Sequence, residues 1–347
     1  MENSQYIGFI GTYTKGESEG IYSFQLDAEA GKITDVRTAA EIENPTYLSI
    51  TPDGGNLYSV AKDGVMGGTA SFSIVNGQLH EINRQMSEGA PPCYVFADKT
   101  SQHVFSANYH KGTVEVYPIN PENGSLQPPS SIIEHKGSGP DERQEKPHTH
   151  YAAPAPDGRY IIAIDLGIDQ IITYELNQGD LMEKSSLSVK PGSGPRHLAF
   201  HPNGQYAFVM TEFSSEVIAL SYAPREGNFK QLYSVSTLPD HFSENNQGSA
   251  IHISSDGRFL YAGNRGHDSI AVFGIHSGTA ELTFIEHTST EGNWPRDFVL
   301  DPTEKFLIAA NQNSSNLVLF SRNSDTGKLT LLQSDIMVPD PVCVKFL

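Results

Sequence analysis

Charged and imidazole side chains stand where short apolar runs begin or end: Lys62, His150, Arg196, Glu212, Arg265 and Arg296. Their types suit work on oxygen anions and protons. A guanidinium offers a planar pair of donors to a carboxylate, a phosphate or an oxyanion. A carboxylate or an imidazole can take a proton from water or return one to a leaving group. Polar plugs of a water-filled channel would use the same residue types, so placement must separate the two uses.

Placement follows from a repeat. The unit is a short apolar run, a Pro-Asp-Gly-like turn and a second apolar run. It appears as YLSITPDGGNLYSVAK from Tyr47, YAAPAPDGRYIIAIDL from Tyr151, HLAFHPNGQYAFVMTE from His197, AIHISSDGRFLYAGNR from Ala250 and DFVLDPTEKFLIAANQ from Asp297. A weaker copy, YVFADKTSQHVFSANY, starts at Tyr94. The turn positions Asp53, Thr100, Asp157, Asn203, Asp256 and Thr303 are 47, 57, 46, 53 and 47 residues apart, near the ~40–50 of a propeller blade. Each unit is followed by an alternating hairpin, for example TVEVYPINPENGSLQ from Thr113 or NLVLFSRNSDTGKLTLL from Asn316. Alternation bounded by Gly, Asn and Asp signals antiparallel pairs.

Seven hairpins but six complete first units leave one blade split between the termini. Its second strand is the N-terminal YIGFIGTYT and its first is the C-terminal PVCVKFL. The expectation is an all-β chain, one domain over residues 1–347. It is a seven-bladed β-propeller of four-stranded antiparallel blades, closed by pairing the N- and C-terminal strands.

In such a fold the start of the first strand and the end of the second share one channel mouth. Seven residues before the turn lie Thr46, Cys93, His150, Arg196, Ser249 and Arg296, with Val342 in the split blade. Nine after it lie Lys62, Tyr109, Leu166, Glu212, Arg265 and Gln312, with Tyr13. Eight after it lie Ala61, Asn108, Asp165, Thr211, Asn264 and Asn311, with Thr12. Two insertions, around residues 135–151 and 239–250, fall in loops over the same mouth and predict the walls of a ligand site.

Other readings are weaker. His148 and His150 are two apart, hence on one side of an extended segment, and with Asp165 could hold a metal; two histidines at that spacing are slender grounds, and no metal is expected. Trp294, the one tryptophan, could stack on a sugar ring or simply pack a loop. Cys93 has no activating partner in sequence. No nucleophile elbow, P-loop or dinucleotide fingerprint occurs.

Composition excludes whole classes. A formal net charge of −18 argues against nucleic acid and anionic membranes, which select basic surface. It leaves room for a small anion in a local basic pocket. No run of about 18 apolar residues is present. Two cysteines, Cys93 and Cys343, make no disulfide framework. The first residues carry neither a basic n-region nor a small-residue cleavage site. The expected setting is cytoplasmic.

Three long runs carry a family resemblance: KPHTHYAAPAPDGRYIIAIDLGIDQI, SGPRHLAFHPNGQYAFVMTEFSSEV and IHISSDGRFLYAGNRGHDSIAVF. With GTYTKGESEGIYSFQLDAEAGKI and DPTEKFLIAANQNSSNLVLF, they resemble the seven-bladed propeller lactonases along essentially the whole chain. That group includes bacterial 6-phosphogluconolactonases and a fungal carboxy-muconate cyclase. The resemblance implies hydrolysis of a sugar lactone, 6-phospho-glucono-δ-lactone, in the oxidative pentose phosphate pathway. It places the chemistry on His148 of KPHTH, Arg196 of GPRH, Glu212 of TEF and Arg265 of NRG.

Within that frame Glu212 is the expected base and His148 the acid or second base, while Arg196 and Arg265 hold the oxyanion. Arg296, Lys62 and His197 are candidates for a 6-phosphate; His150, Trp294 and Asn264 complete the expected contacts. No cofactor is implied. The partner is a small lactone, and the chain is a monomer or a weak homo-oligomer. The alternatives are a lactonising or delactonising enzyme on another carboxylated substrate, and a binding propeller without catalysis. The last would be expected to use exposed apolar patches.

Overall fold

The structure, a computed structural model, describes residues 4–347; the leader reading at residues 1–3 lies outside them. Twenty-eight strands form seven four-stranded antiparallel sheets. The innermost strands, blade by blade, are Pro341–Phe346, Leu48–Ile50, Tyr94–Ala97, Thr149–Pro154, Pro195–Phe200, Gln247–Ile253 and Pro295–Leu300. Each touches the innermost strand of both neighbouring blades, which closes the ring. The second strands run back to the same end: Gln5–Thr12, Asn56–Asp63, His103–Asn108, Tyr160–Asp165, Tyr206–Thr211, Phe259–Arg265 and Phe306–Asn311.

The first blade is the split one. Pro341–Phe346 pairs with Gln5–Thr12, with Ile10 opposite Val344. Sequence order thus becomes ring closure, and no inner edge is left unpaired.

The turns explain why some repeats read weakly. Gly54, Gly158, Gly204 and Gly257 hold φ near 70° in the Pro-Asp-Gly turns, a region that costs glycine little. In the two degenerate copies Ser101 and Glu304 take the left-handed conformation instead, at φ 53° and 55°. One expected hairpin differs. The strand Thr113–Pro118 does not pair with the stretch just after its turn, which makes only an isolated Ile119–Leu126 bridge. Its partner is Ser131–Glu134; Pro128 and Pro129 lie between, and proline cannot donate to a ladder.

The core lies between blades. Ile10 and Phe24 of the first blade pack with Ile308 and Leu317 of the last. Phe9 and Cys343 pack with Leu48, Leu57 and Phe72 of the second. The outermost strands face water on one side, as the alternating burial of Asn228–Ser236 shows. Removing residues 341–347 would strip the inner strand from the first blade and open its ladder. The expected outcome is insoluble protein or a much lower melting midpoint, read by soluble yield and thermal unfolding; an unchanged midpoint would refute closure as the source of stability.

Candidate functional site

One mouth of the channel holds a cavity of about 470 Å³. Every blade contributes to its wall or floor. Tyr13 and Lys15 come from the first, Thr46 and Lys62 from the second, Cys93 and Tyr109 from the third and His150 from the fourth. Glu212, Gln247 with Arg265, and Trp294 with Arg296 come from the fifth, sixth and seventh, and the 135–151 insertion adds Arg143.

The inner strands reach this mouth through a shared irregularity. Opposite Asp165 and Ile164 stand Thr149 and Tyr151, so His150 is an extra residue in its strand. Arg196 is extra between Pro195 and His197, and Arg296 between Pro295 and Asp297. The first and sixth blades carry the same one-residue insertion, at Val342 and within Ser249–Ala250. A bulge of this kind bends the strand and re-aims one side chain. It also breaks the two-residue alternation on which an extended-strand reading depends.

His148 stands behind the cavity residue Tyr109. It does not line the cavity with His150, because the bulge separates them. Its ring stacks on Tyr109 with centroids 4.1 Å apart. Its Nδ1 donates to the Tyr109 carbonyl at 2.7 Å, and Nε2 lies 3.2 Å from the Glu145 carboxylate. Its backbone amide donates to Asp165, which also meets His135 at 2.7 Å. Asn264 also lies outside the cavity lining. It is fully buried, accepting from Thr237 and Asn246 and donating to the Thr237 carbonyl, so it pins loops rather than contacting a ligand.

The floor is an ion cluster around Glu212. Arg143 Nη2 donates to its Oε1. Arg196 Nε and Arg265 Nη2 donate to its Oε2 at 3.1 and 2.8 Å. Arg265 Nη2 also donates to the Gly248 carbonyl at 2.6 Å. Gly248 has no room for a side chain, because a Cβ would lie 2.1 Å from the Thr211 carbonyl oxygen. Arg196 does not reach the cavity; it sits beneath Glu212, with Nη1 donating to the Ser249 carbonyl.

Burial alone would raise the Glu212 pKa, but the Arg265, Arg196 and Arg143 guanidiniums hold it well below the usual carboxylate range. Three guanidiniums occupy its two oxygens, so Glu212 is placed as their counter-ion. Burial pushes Arg265 down, against the pull of Glu212 and with help from Arg196 and Arg296, to about 9; it stays charged at neutral pH. Burial, then Arg196, drives the His150 pKa well below its ordinary value. His150 is thus a neutral imidazole on the cavity wall, and its Nδ1 has no partner. His197 lies under Arg196, 3.4 Å from its Nη1, outside the cavity.

Lys62 lines the cavity but is ion-paired with Glu43. Burial pushes the Cys93 thiol up to about 12, so it is no nucleophile. Trp294 lines the wall 5.6 Å from the Arg265 guanidinium and holds φ 66°, its amide donating to Asp268 at 2.8 Å. Sequence reasoning missed Arg143 and Lys15. The first is the sole arginine of the insertion already expected to form a wall; the second stands two residues past the ring position Tyr13. Among the described residues no group of three metal-ligating side chains gathers, and no helix is long and apolar enough to cross a membrane.

A family model described as a lactonase, 7-bladed beta-propeller, matches residues 7–346. A 6-phosphogluconolactonase of Bacillus subtilis is 54% identical over 99% of both chains. A crystal structure of a Lactobacillus plantarum protein superposes with a TM-score of 0.96 at 44% identity, covering 99% of each chain. A Pseudomonas aeruginosa periplasmic gluconolactonase superposes at 0.93 with 32% identity and the same coverage.

Two outcomes follow from the buried charges. Glu212→Gln leaves Arg196 and Arg265 without a counter-charge; breaking a buried pair costs about 3–5 kcal/mol, so the urea midpoint should fall markedly. An unchanged midpoint would show that another group balances them. This differs from the small effect expected of accessible polar residues, since Glu212, Arg196 and Arg265 are all under 5% exposed. His150 and His197 have folded pKa values depressed below the unfolded ~6.5. The unfolded chain then binds more protons between the two values, so stability is lost as pH falls below about 6.5. The double variant His150→Gln/His197→Gln should flatten that slope; an identical slope would exclude these imidazoles as its cause.

Proposed function

The chain belongs to the seven-bladed β-propeller lactonases, and from that membership we propose that it hydrolyses 6-phospho-glucono-1,5-lactone to 6-phosphogluconate. The observation that carries the reading is the charge of the mouth. Lys15, Arg143, Arg265 and Arg296 line the cavity against Glu212, the Lys62–Glu43 pair adding no net charge, in a chain whose net charge is −18. Such a site favours an anionic substrate and a reaction that develops negative charge on oxygen.

Water adds to the lactone carbonyl carbon and gives up a proton to the neutral imidazole of His150. Arg265 holds the oxyanion: its Nε and Nη2 are committed to Gln247, Gly248 and Glu212, and Nη1 makes none of these bonds. Arg196 and Glu212 lock that guanidinium in place. As the tetrahedral intermediate collapses, the bond from the carbonyl carbon to the ring oxygen breaks. The imidazolium returns its proton to that oxygen, and the acid ionises. Trp294 offers a flat apolar face to the sugar. The proposal extends to the oxidative pentose phosphate pathway, the cytoplasm and a monomer or weak homo-oligomer.

The test is turnover of freshly made 6-phosphogluconolactone, with spontaneous hydrolysis subtracted, beside the unphosphorylated lactone. The phosphorylated lactone should be preferred; no acceleration of either would overturn the reading. Arg265→Ala should lower kcat by about 10²-fold or more, the scale of a lost transition-state donor. His150→Gln should cost about 10²-fold or more in kcat with little change in KM. Full activity in both variants would mean the chemistry lies elsewhere.

A further inference from the structure

We infer that Lys15 and Arg296, which share contact with the Tyr13 ring in the cavity wall, form a subsite for a phosphate monoester dianion. This deepens the sugar-lactone reading and rests on it. The cations of the cavity are not equivalent. Arg143 and Arg265 are paired with Glu212, and Lys62 is paired with Glu43. A phosphate at Lys62 would meet the Glu43 carboxylate. Among the described residues Lys15 and Arg296 have no carboxylate partner.

What these two cations touch is one aromatic ring. The Lys15 ammonium lies 4.9 Å and the Arg296 guanidinium 5.4 Å from the Tyr13 centroid. A ring can bind a cation at that range, but weakly when exposed, and it does not cancel the two positive charges that share it. The group that would is a dianion, and a phosphate monoester carries about −1.5 to −2 at neutral pH.

The subsite is built in advance. The Tyr13 amide donates to the Asp340 carbonyl at 3.1 Å. Thr14 is tied to Asn44 in both directions: its amide donates to Asn44 Oδ1 at 3.0 Å, and its Oγ1 accepts from the Asn44 amide at 3.1 Å. Lys15 therefore leaves a fixed segment. Arg296 follows the Trp294 turn held by Asp268 and projects from the bulge of its strand. It also lies near enough to Arg265 and His150 to disfavour added positive charge on either. A six-carbon lactone would thus place its carbonyl at Arg265 and its phosphate against Tyr13, with Trp294 alongside.

The experiment uses the full chain and four proteins: wild type, Lys15→Gln, Arg296→Gln and Lys62→Gln. The readout is the ratio of kcat/KM for the phosphorylated over the unphosphorylated gluconolactone. Each of the first two substitutions should lower that ratio by roughly 10-fold or more, the worth of one charge-assisted contact, through KM for the phosphorylated lactone. Lys62→Gln should keep the ratio within about two-fold of wild type, well short of a lost charge-assisted contact. A wild type that prefers the phosphorylated lactone, with the ratio lost only in Lys62→Gln, overturns the subsite and leaves the reaction standing. If the wild type turns over neither lactone, the reaction fails, and binding of inorganic phosphate by calorimetry reads the subsite alone. Binding lost in Lys15→Gln and Arg296→Gln but kept in Lys62→Gln supports it; any other pattern overturns it.

Discussion

Two arginines cannot be buried without a counter-charge, and the architecture of the channel mouth is arranged around that requirement. Arg196 and Arg265 are nearly inaccessible, and desolvating an ion costs several kcal/mol unless it is paired and hydrogen-bonded. Glu212 meets both on one oxygen and Arg143 on the other. One carboxylate shared among three guanidiniums balances burial and still leaves the mouth positive. That excess is local. Charges elsewhere on an acidic surface are screened beyond about 8–10 Å, so the overall charge does not keep an anion from the site.

The backbone supplies slots and the sequence fills them. Five of the seven inner strands carry one extra residue at the mouth, whatever stands there: His150, Arg196, Ser249, Arg296 or the apolar Val342. The bulge thus does not depend on the side chain it carries. Chemistry enters by substitution at a position whose direction is already set. The second strands end in a complementary ring that is structural. Thr12, Asn108, Asp165, Thr211, Asn264 and Asn311 are all buried and bonded to the loops around them.

This division explains what could be read from the chain. Blade number, ring closure and half of the cavity residues followed from the offset arithmetic, because turns and apolar periods are local and repeat. The bulge has no sequence mark, so the two-residue spacing of His148 and His150 does not report that of the two only His150 lines the cavity. Asn264 looked like a ligand contact because a hydrogen-bonding side chain at a strand end reads alike whether it faces solvent or a loop. Arg143 was hidden because a loop's path is not periodic; only its length announced it. The ion pairs that silence Lys62 and lower Glu212 are tertiary, and no spacing rule reports them.

The seam in the first blade has a temporal side. Among the strands of the propeller Gln5–Thr12 is made first, and its partner Pro341–Phe346 is made last. At about 5–20 residues per second the interval is on the order of tens of seconds. Throughout it Gln5–Thr12 has one side of its backbone bare, and the blades behind it form an arc instead of a circle. Each blade buries its apolar face against the next as it emerges, so most of the core can assemble in order of synthesis. The final contact joins the two most distant parts of the chain and carries the largest loop-closure entropy. Nascent chains of this protein therefore spend their vulnerable period as nearly complete arcs. The bare edge is open to pairing with a neighbouring arc until the last strand covers it.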